Sequence, residues 1–487
     1  MINFKIVIKL LGVILLAMGV FMLLPLVITL FSSKGEFMSF LFSSAICIGL
    51  GLPFVIVKPK INKIGKREGY LIVALSWLTM SAAGTLPYLF EGVIDSFPSA
   101  FFESASGLTT TGASVFNDIE ALPHGILFWR SFTQWIGGMG IIVLTVAIVP
   151  LLGVGGMNIF SAESPGPTKD KVHPKIKETA KRLWLIYSGL TLLLFFILHF
   201  YSGMSWFDSI NHAFTTMSTG GFSTKNASIA FWDSPRVQYP IIFFMFLAGT
   251  NFTLLYFMLK RKFKKVWSNE EFMTYGISIL VITIIITISV LVHLDESFEK
   301  SFRLALFQVV SIVTTTGFVT ADYVSWSNGL AMAFFMLLFT GACAGSTSGG
   351  IKVVRHTVFF KNTMLEFKRL LHPRAILRAK VNKEVISGKV AAHVMVFLLV
   401  YLIVFCLGSI LVMRLNGDIE KPFLTAIGSV ATCLGNVGPG LGSVGPANNF
   451  ASIPEGSKML LSFIMIVGRL ELFSVLIIFA PAFWKSN

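Results

Sequence analysis

Charge is what this chain has least of. Only 13% of its 487 residues are charged, while 54% are hydrophobic and the mean hydropathy is +0.78. A soluble domain carries roughly 25% charged residues. A soluble fold of this composition could not cover its own surface, so the bulk of the chain must face lipid. Acidic residues are scarcer than basic ones, 24 against 39, which leaves a net charge of +15. Cysteine is nearly absent: Cys47, Cys343, Cys406 and Cys433 lie in apolar stretches, at spacings that fit neither a disulfide framework nor a zinc site. The eight histidines show no metal-ligand spacing, and His212 reads as a satisfied helix residue. No HExxH helix, nucleophile elbow or phosphate loop occurs, so the chain is expected not to be an enzyme. Gly440-x-Gly442-x-x-Gly445 matches the dinucleotide fingerprint in letters only, because no strand–turn unit precedes it.

Long apolar runs are abundant instead. A helix needs about 20 residues to cross the hydrocarbon core. Leu10–Phe31, Phe37–Val57, Tyr70–Phe90, Ser131–Val154, Leu183–Phe207, Tyr239–Leu259, Phe272–Val292, Gly329–Ile351, Val390–Met413 and Met459–Trp484 qualify, the last despite Arg469 and Glu471. Continuous runs without alternation indicate helices and not a closed barrel, so the sequence predicts an all-α polytopic membrane protein. Lys58–Arg67, Lys169–Arg182, Lys260–Lys265 and Lys352–Lys389 together hold 26 of the 39 basic residues, and ten spans put all four clusters on one side. Glu91, Asp95, Asp118, Glu120, Asp208, Asp295, Glu296 and Asp418 collect on the other side. By the positive-inside rule the basic side is cytoplasmic and holds both termini. That placement accounts for the net charge without nucleic acid. The first run is too long for a signal peptide and lacks a small-residue cleavage site, so it is expected to remain as an anchor.

Between the runs lie four segments too polar to span and too apolar for ordinary loops. They begin near Phe97, Phe207, Phe302 and Phe423 and end in ESASGLTTTGAS, NHAFTTMSTGGFS, FQVVSIVTTTGFV and TAIGSVATCLGNV. Aligned on Gly112, Gly221, Gly317 and Gly435, they carry hydroxyls three residues earlier (Thr109, Ser218, Thr314, Thr432) and six residues earlier (Ser106, Thr215, Ser311, Ser429). Each glycine has one span before it and one after. The pattern predicts four parallel span–half-helix–span repeats around one central pore, preceded by two extra N-terminal spans. The corresponding segments are 1–67 for the extension and 68–182, 183–271, 272–388 and 389–487 for the four repeats.

A dehydrated cation needs a ring of oxygen ligands, and backbone carbonyls supply one without fixed charge. Glycine permits the backbone conformations such a ring demands. Threonine hydroxyls add oxygens, and the half-helices aim their partly negative C-termini at the ion path. The candidate ion-binding residues are therefore Thr110, Thr111, Gly112, Thr219, Gly220, Gly221, Thr315, Thr316, Gly317, Cys433, Leu434 and Gly435. A single TTG is explained equally well by a helix C-cap; four in register are not.

These four segments, with the two extra spans, resemble the Trk/Ktr/HKT potassium transporter superfamily, and most of all its bacterial TrkH/TrkG branch. WIGGMGIIVL at Trp135–Leu144, GACAGSTSGGIKVVR at Gly341–Arg355 and GRLELF at Gly468–Phe473 extend the likeness over nearly the whole chain. The resemblance implies a K⁺ uptake subunit of a bacterial inner membrane, homodimeric, with one pore per chain. It also implies a cytosolic TrkA-like partner that binds nucleotide through RCK domains. K⁺ is then the transported ion, with no other metal and no organic cofactor on this chain. The fourth segment departs from the pattern at Cys433, Leu434 and Asn436, which implies modest selectivity with Na⁺ as a second permeant ion.

Two features leave alternatives open. Gly341, Gly345, Ser346, Thr347, Ser348, Gly349 and Gly350 make poor helix in the middle of an apolar run. They read either as close helix packing through small residues or as a broken span whose loop gates the pore, and the resemblance supports the gate. Arg469, deep in the last run, reads either as bonded to carbonyls of a neighbouring repeat or as a charge beside the ion path, where the resemblance places it. A carrier coupled to H⁺ or Na⁺ is the competing function. It would want paired intramembrane carboxylates, and only Glu471 lies deep in a run.

Overall fold

The structure, a computed structural model, describes residues 2–29, 34–57, 65–143, 176–294, 296–375, 377–417 and 419–485. The end of the run expected to reach Val154 lies outside the described residues. So do Lys58, Lys60, Lys63, Lys169, Lys171, Lys175, Asp295 and Asp418.

Among the described residues six helices are long and apolar enough to cross a membrane: Phe4–Thr29, Glu36–Ile56, Lys66–Glu91, Glu178–Tyr201, Glu270–His293 and Gly388–Asn416. Each coincides with an expected span. His124–Val143 adds 20 helical residues where the fourth span was expected. The other three expected spans are not continuous helices. Pro235–Ala248 and Phe252–Leu259 meet at 108°, and Glu455–Arg469 meets Phe473–Phe479 at 109°. Asn328–Leu337 stops far short of Ile351, and helix resumes only over Val353–Leu371.

Each break has a local cause. The Asn251 side chain caps a new helix by accepting from the Thr253 amide at 2.8 Å. Glu471 and Leu472 both take left-handed φ angles of 55°, which end an α-helix. Sequence reading foresaw the break only at Gly341–Gly350. The other two hide in apolar composition, since hydropathy registers a span's length and not its continuity.

Four shorter helices stand between these elements: Phe97–Leu108, Trp206–Met217, Phe298–Val313 and Pro422–Gly435. We term them half-helices one to four. Three start on a serine N-cap, with Ser96, Ser205 and Ser297 accepting from the amides of Ser99, Asp208 and Lys300. Such a cap satisfies one of the four amides that a helix start leaves without a partner. The fourth starts on proline, which has no amide proton to satisfy. The helices are placed in rotation. Half-helix one packs on Glu455–Arg469, half-helix two on His124–Val143 and half-helix three on Pro235–Ala248, in each case besides the long helix that precedes it. The helices after half-helices one and two thus support half-helices two and three, and the helix after half-helix four supports the first.

The N-terminal pair, Phe4–Phe21 and Lys34–Ile56, cross at Gly12 and Gly51. Small residues at such a crossing let backbones approach where lipid gives no hydrophobic drive. Ser44 donates to the Gly19 carbonyl at 2.7 Å, and Glu36 accepts from the Gly125 amide at 2.7 Å, which ties the pair to the start of His124–Val143.

Candidate functional site: a ring of four turns

Each half-helix ends in the same turn. In the first, the Thr110 amide donates to the Gly107 carbonyl at 3.0 Å and the Thr111 amide to Ser106 at 2.9 Å. The pairs Thr219–Thr216 and Gly220–Thr215 repeat this in the second turn, and Thr315–Ile312 and Thr316–Ser311 in the third. The fourth pairs are Asn436–Cys433 and Val437–Thr432. Left-handed φ follows the same register: 53°, 53°, 57° and 54° at Thr110, Thr219, Thr315 and Asn436. Two residues on, Gly112, Gly221, Gly317 and Gly438 have φ of 83°, 79°, 80° and 108°.

The four turns close on one another through backbone. A Cβ atom on Gly112 would lie 2.2 Å from the Gly220 carbonyl oxygen, on Gly221 1.9 Å from that of Thr316, on Gly317 1.9 Å from that of Val437, and on Gly438 2.8 Å from that of Thr111. Every oxygen in this cycle belongs to the residue just before a ring glycine. Any side chain at the glycines would collide with the neighbouring turn. The left-handed threonines add strain, roughly 1–3 kcal/mol each, which persists only where the surroundings over-determine the backbone.

This geometry corrects the expected fourth segment. Gly435 does not match Gly112, Gly221 and Gly317; Gly438 does, three residues later. Cys433, Leu434 and Gly435 are the last residues of half-helix four and are buried there. Asn436, Val437 and Gly438 hold the ring positions. Gly435 has hydroxyls three and six residues before it (Thr432 and Ser429), whereas Gly438 has Gly435 and Thr432 there, so the hydroxyl pattern favours the wrong register. Pro439 was the available signal. Proline cannot continue a helix, so Val437-Gly438-Pro439 marks the turn better than Gly435 does.

The glycines of all four turns line one cavity of about 200 Å³, walled further by Asn117, Lys225 and Asn226. At its rim Lys225 lies 3.7 Å from Glu120. A hydrogen bond from Asn226 at 2.8 Å holds the Asp118 carboxyl below its ordinary range, so it stays negative into mild acid. At the other end of the turns sits the Gly341–Gly350 loop. The Gly349 amide donates to Thr315 Oγ1 at 2.7 Å, and Thr347 Oγ1 donates to the Met217 carbonyl at 3.1 Å. A Cβ on Gly349 would lie 2.5 Å from the Gly435 carbonyl. The loop therefore touches the ends of half-helices two, three and four.

The three breaks meet at this loop. The Cys343 amide donates to Gly249 at 3.0 Å and the Phe252 amide to Gly345 at 3.1 Å. Gly345 and Gly350 take left-handed φ, and the Gly341 amide donates to Ile351 at 2.8 Å. Ser346 and Ser348 hydroxyls lie 2.8 Å apart, and Lys352 Nζ donates to Ser348 Oγ at 3.0 Å. Arg469, 2% exposed, donates to the Thr347 carbonyl at 2.8 Å and the Gly137 carbonyl at 3.4 Å. Glu471 faces elsewhere and pairs with Arg355 at 2.5 Å. The break at Leu470–Leu472 sends the two side chains to different partners.

Two supports behind the ring were not foreseen. Glu103 and Arg130 form an ion pair at 2.8 Å with side chains 0% and 1% exposed. Glu103 also accepts from the Val115 amide at 2.8 Å, while Arg130 reaches the Ser223 carbonyl at 3.3 Å and lies over the Phe222 ring at 4.2 Å. The pair fastens turn one to turn two. Gln134 holds turn two by a paired contact: Nε2 donates to the Gly220 carbonyl at 2.7 Å and Oε1 accepts from the Phe222 amide at 3.1 Å. Their trace in the sequence was a charged residue in the first polar segment, Glu103, another just before the fourth apolar run, Arg130, and an amide inside that run, Gln134. His212 bonds the Asp208 carbonyl and Ser223 Oγ, which accounts for both ring nitrogens.

The chain and its overall fold match known proteins. Residues 34–486 match the family described as TrkH, cation transport protein. The chain is 39% identical to the Trk system potassium uptake protein TrkH of Salmonella typhimurium over 491 residues, covering 99% of this chain and 100% of that one. It is 35% identical to the Trk system potassium uptake protein TrkG of Escherichia coli (strain K12), covering 96% and 95%. The crystal structure of the potassium transporter TrkH from Vibrio parahaemolyticus superposes with a TM-score of 0.91 at 36% identity, covering 99% of this chain and 100% of that chain.

The buried pair yields a stability prediction. Removing one partner of a buried pair costs about 3–5 kcal/mol, because the other charge is left unmatched. Glu103→Ala should therefore lower the melting temperature in detergent markedly, and Glu103→Leu with Arg130→Met should recover part of the loss. A single variant melting like wild type would show that the pair carries no structural weight.

Proposed function

The chain belongs to the TrkH family of cation transport proteins, and from that premise we propose that it is a channel-like K⁺ uptake transporter with the ring of four turns as its selectivity filter. It is a multi-pass membrane protein and a transporter, not an enzyme. The observation that carries the reading is the closed cycle of carbonyls on glycines at Gly112, Gly221, Gly317 and Gly438. Four chain segments distant in sequence have been brought to one axis, with strained backbone and no room for side chains. A ring of carbonyl dipoles replaces the hydration shell of a cation there, and helix C-termini add partial negative charge. Thr110, Thr111, Thr219, Gly220, Thr315, Thr316, Asn436 and Val437 complete the filter. The architecture follows as four parallel repeats (68–182, 183–271, 272–388 and 389–487) around one pore, with residues 1–67 outside it.

The Gly341–Gly350 loop is the gate in this reading, since it lies against the filter ends on the side opposite the cavity. Arg469 stands at the same level. Its bond to Thr347 latches the loop, and its charge hinders a cation passing below the filter. Two unit charges about 4 Å apart repel by roughly 4 kcal/mol at an effective dielectric of 20 and about 1 kcal/mol in water, so the arginine slows the ion without stopping it. A coupled carrier is less well supported. Glu103 is locked to Arg130 and Glu471 is paired with Arg355, so neither is free to carry a proton. The same reading gives a homodimer in a bacterial inner membrane with cytoplasmic termini. It adds a cytosolic RCK-domain subunit that docks on the basic segment holding Lys368, Arg369 and Arg374. Na⁺ is a second, less favoured ion.

Three outcomes test these parts. In liposomes holding the purified protein, with K⁺ or Na⁺ as the only permeant cation, wild type should pass K⁺ faster, and Gly112→Ser should lower the K⁺/Na⁺ ratio. An unchanged ratio would remove Gly112 from the filter. Arg469→Ala should raise flux while leaving the ratio intact; a folded variant with equal or lower flux would take Arg469 off the ion path. Surface ion pairs are individually weak and screened by salt, so reversing Lys368, Arg369 and Arg374 together should weaken co-purification with an RCK-domain subunit. Intact co-purification at physiological salt would place the contact elsewhere.

A further inference from the structure

The ring is not symmetric in chemistry, and at turn two the asymmetry involves a side chain from outside the turn. Turn two carries Gly220 where the other turns carry Thr111, Thr316 and Val437. A Cβ on Gly220 would lie 2.3 Å from Cδ of Gln134, so the glutamine occupies the space that a ring side chain fills elsewhere. Its amide group does more than fill it. Nε2 donates to the Gly220 carbonyl at 2.7 Å, and that carbonyl is the ring oxygen facing Gly112. Oε1 accepts from the Phe222 amide at 3.1 Å, which fixes the orientation of the amide. Among the described residues the ring carbonyls of Thr111, Thr316 and Val437 accept no hydrogen bond. Gln134 is fully buried, and its neighbours Trp135 and Ile136 continue a helix packed on half-helix two.

We infer that Gln134 is a positioning residue that sets the ion preference of the filter by sharing the Gly220 carbonyl. A carbonyl that already accepts an amide proton presents a weaker field to a cation. Three free oxygens and one shared oxygen make a ring of lower field strength than four free ones. A strong-field ring favours the smaller Na⁺, whose dehydration costs more and is repaid only by strong ligands; a weak-field ring favours K⁺. Gln134 thus biases the ring toward K⁺ without touching the ion. This rests on the reading of the four turns as the filter, and the controls separate the two.

The test uses the purified full chain in liposomes with K⁺ and Na⁺ gradients. Gln134→Met keeps the length and removes the donor. It should lower the K⁺/Na⁺ permeability ratio by about three- to tenfold, the factor that one hydrogen bond is worth. Gly220→Ala alone should abolish flux by collision with Gln134. Combining it with Gln134→Ala makes room and should restore flux, again with the lowered ratio. A conducting Gln134→Met with the wild-type ratio would overturn the inference, provided Gly317→Ala alters that ratio or stops flux. Should Gly317→Ala leave it unchanged too, the filter reading itself fails. If Gln134→Met does not conduct, the double variant decides: recovery over Gly220→Ala supports the inference, and no recovery overturns it.

Discussion

Backbone pressed against backbone at four glycines is the contact on which the rest of this protein depends. Each ring glycine lies where a methyl group would strike the carbonyl of the next turn. Helices can be packed through side chains of many shapes, and volume-conserving changes there are tolerated. A carbonyl that must lie beside a Cα has no such latitude. The surrounding structure accordingly holds the turns in place. Half-helices end on them, the helices after half-helices one, two and four each support the next in turn, and Glu103–Arg130 and Gln134 fasten the second turn to the first. The strained φ angles of Thr110, Thr219 and Thr315 mark where that holding is strongest.

The same constraint accounts for the broken helices. A straight helix after half-helix two, three or four would leave no free backbone beneath the ring. Breaks at Gly249–Asn251 and Leu338–Lys352 release amides and carbonyls there that satisfy one another, while the amides at Leu470–Leu472 bond back to their own helix. Non-helical backbone at membrane depth is tolerated where it is buried in protein or lines a cavity, and these segments are buried. Arg469 belongs to this group, since its guanidinium meets carbonyls of Thr347 and Gly137. Charge and loop are therefore joined: the guanidinium of Arg469 holds the Gly341–Gly350 segment through the Thr347 carbonyl.

Much of this was legible in the sequence. Spans announce themselves by length and hydropathy, and the half-helices by their hydroxyls and glycines. Three ring turns out of four were placed to the residue. The fourth slipped by three because Gly435 has hydroxyls both three and six residues before it, at Thr432 and Ser429, while Gly438 has only Thr432, so residue type favours the wrong register. What a helix end settles is which amide bonds which carbonyl, and that is not written in composition. The breaks at Gly249 and Glu471 were hidden for a related reason, since apolar residues flank them on both sides. Gln134 and the Glu103–Arg130 pair escaped because their partners lie far off in sequence, at Gly220 and Ser223 among others.

The central claim is that the four turns bind one cation on their common axis. Anomalous scattering from the protein crystallised with Tl⁺ in place of K⁺ tests it directly. The account predicts a peak enclosed by the carbonyls of Thr111, Gly220, Thr316 and Val437, fading when K⁺ is added back. A well-diffracting Tl⁺ crystal with no peak inside that ring, and peaks only elsewhere, would contradict it.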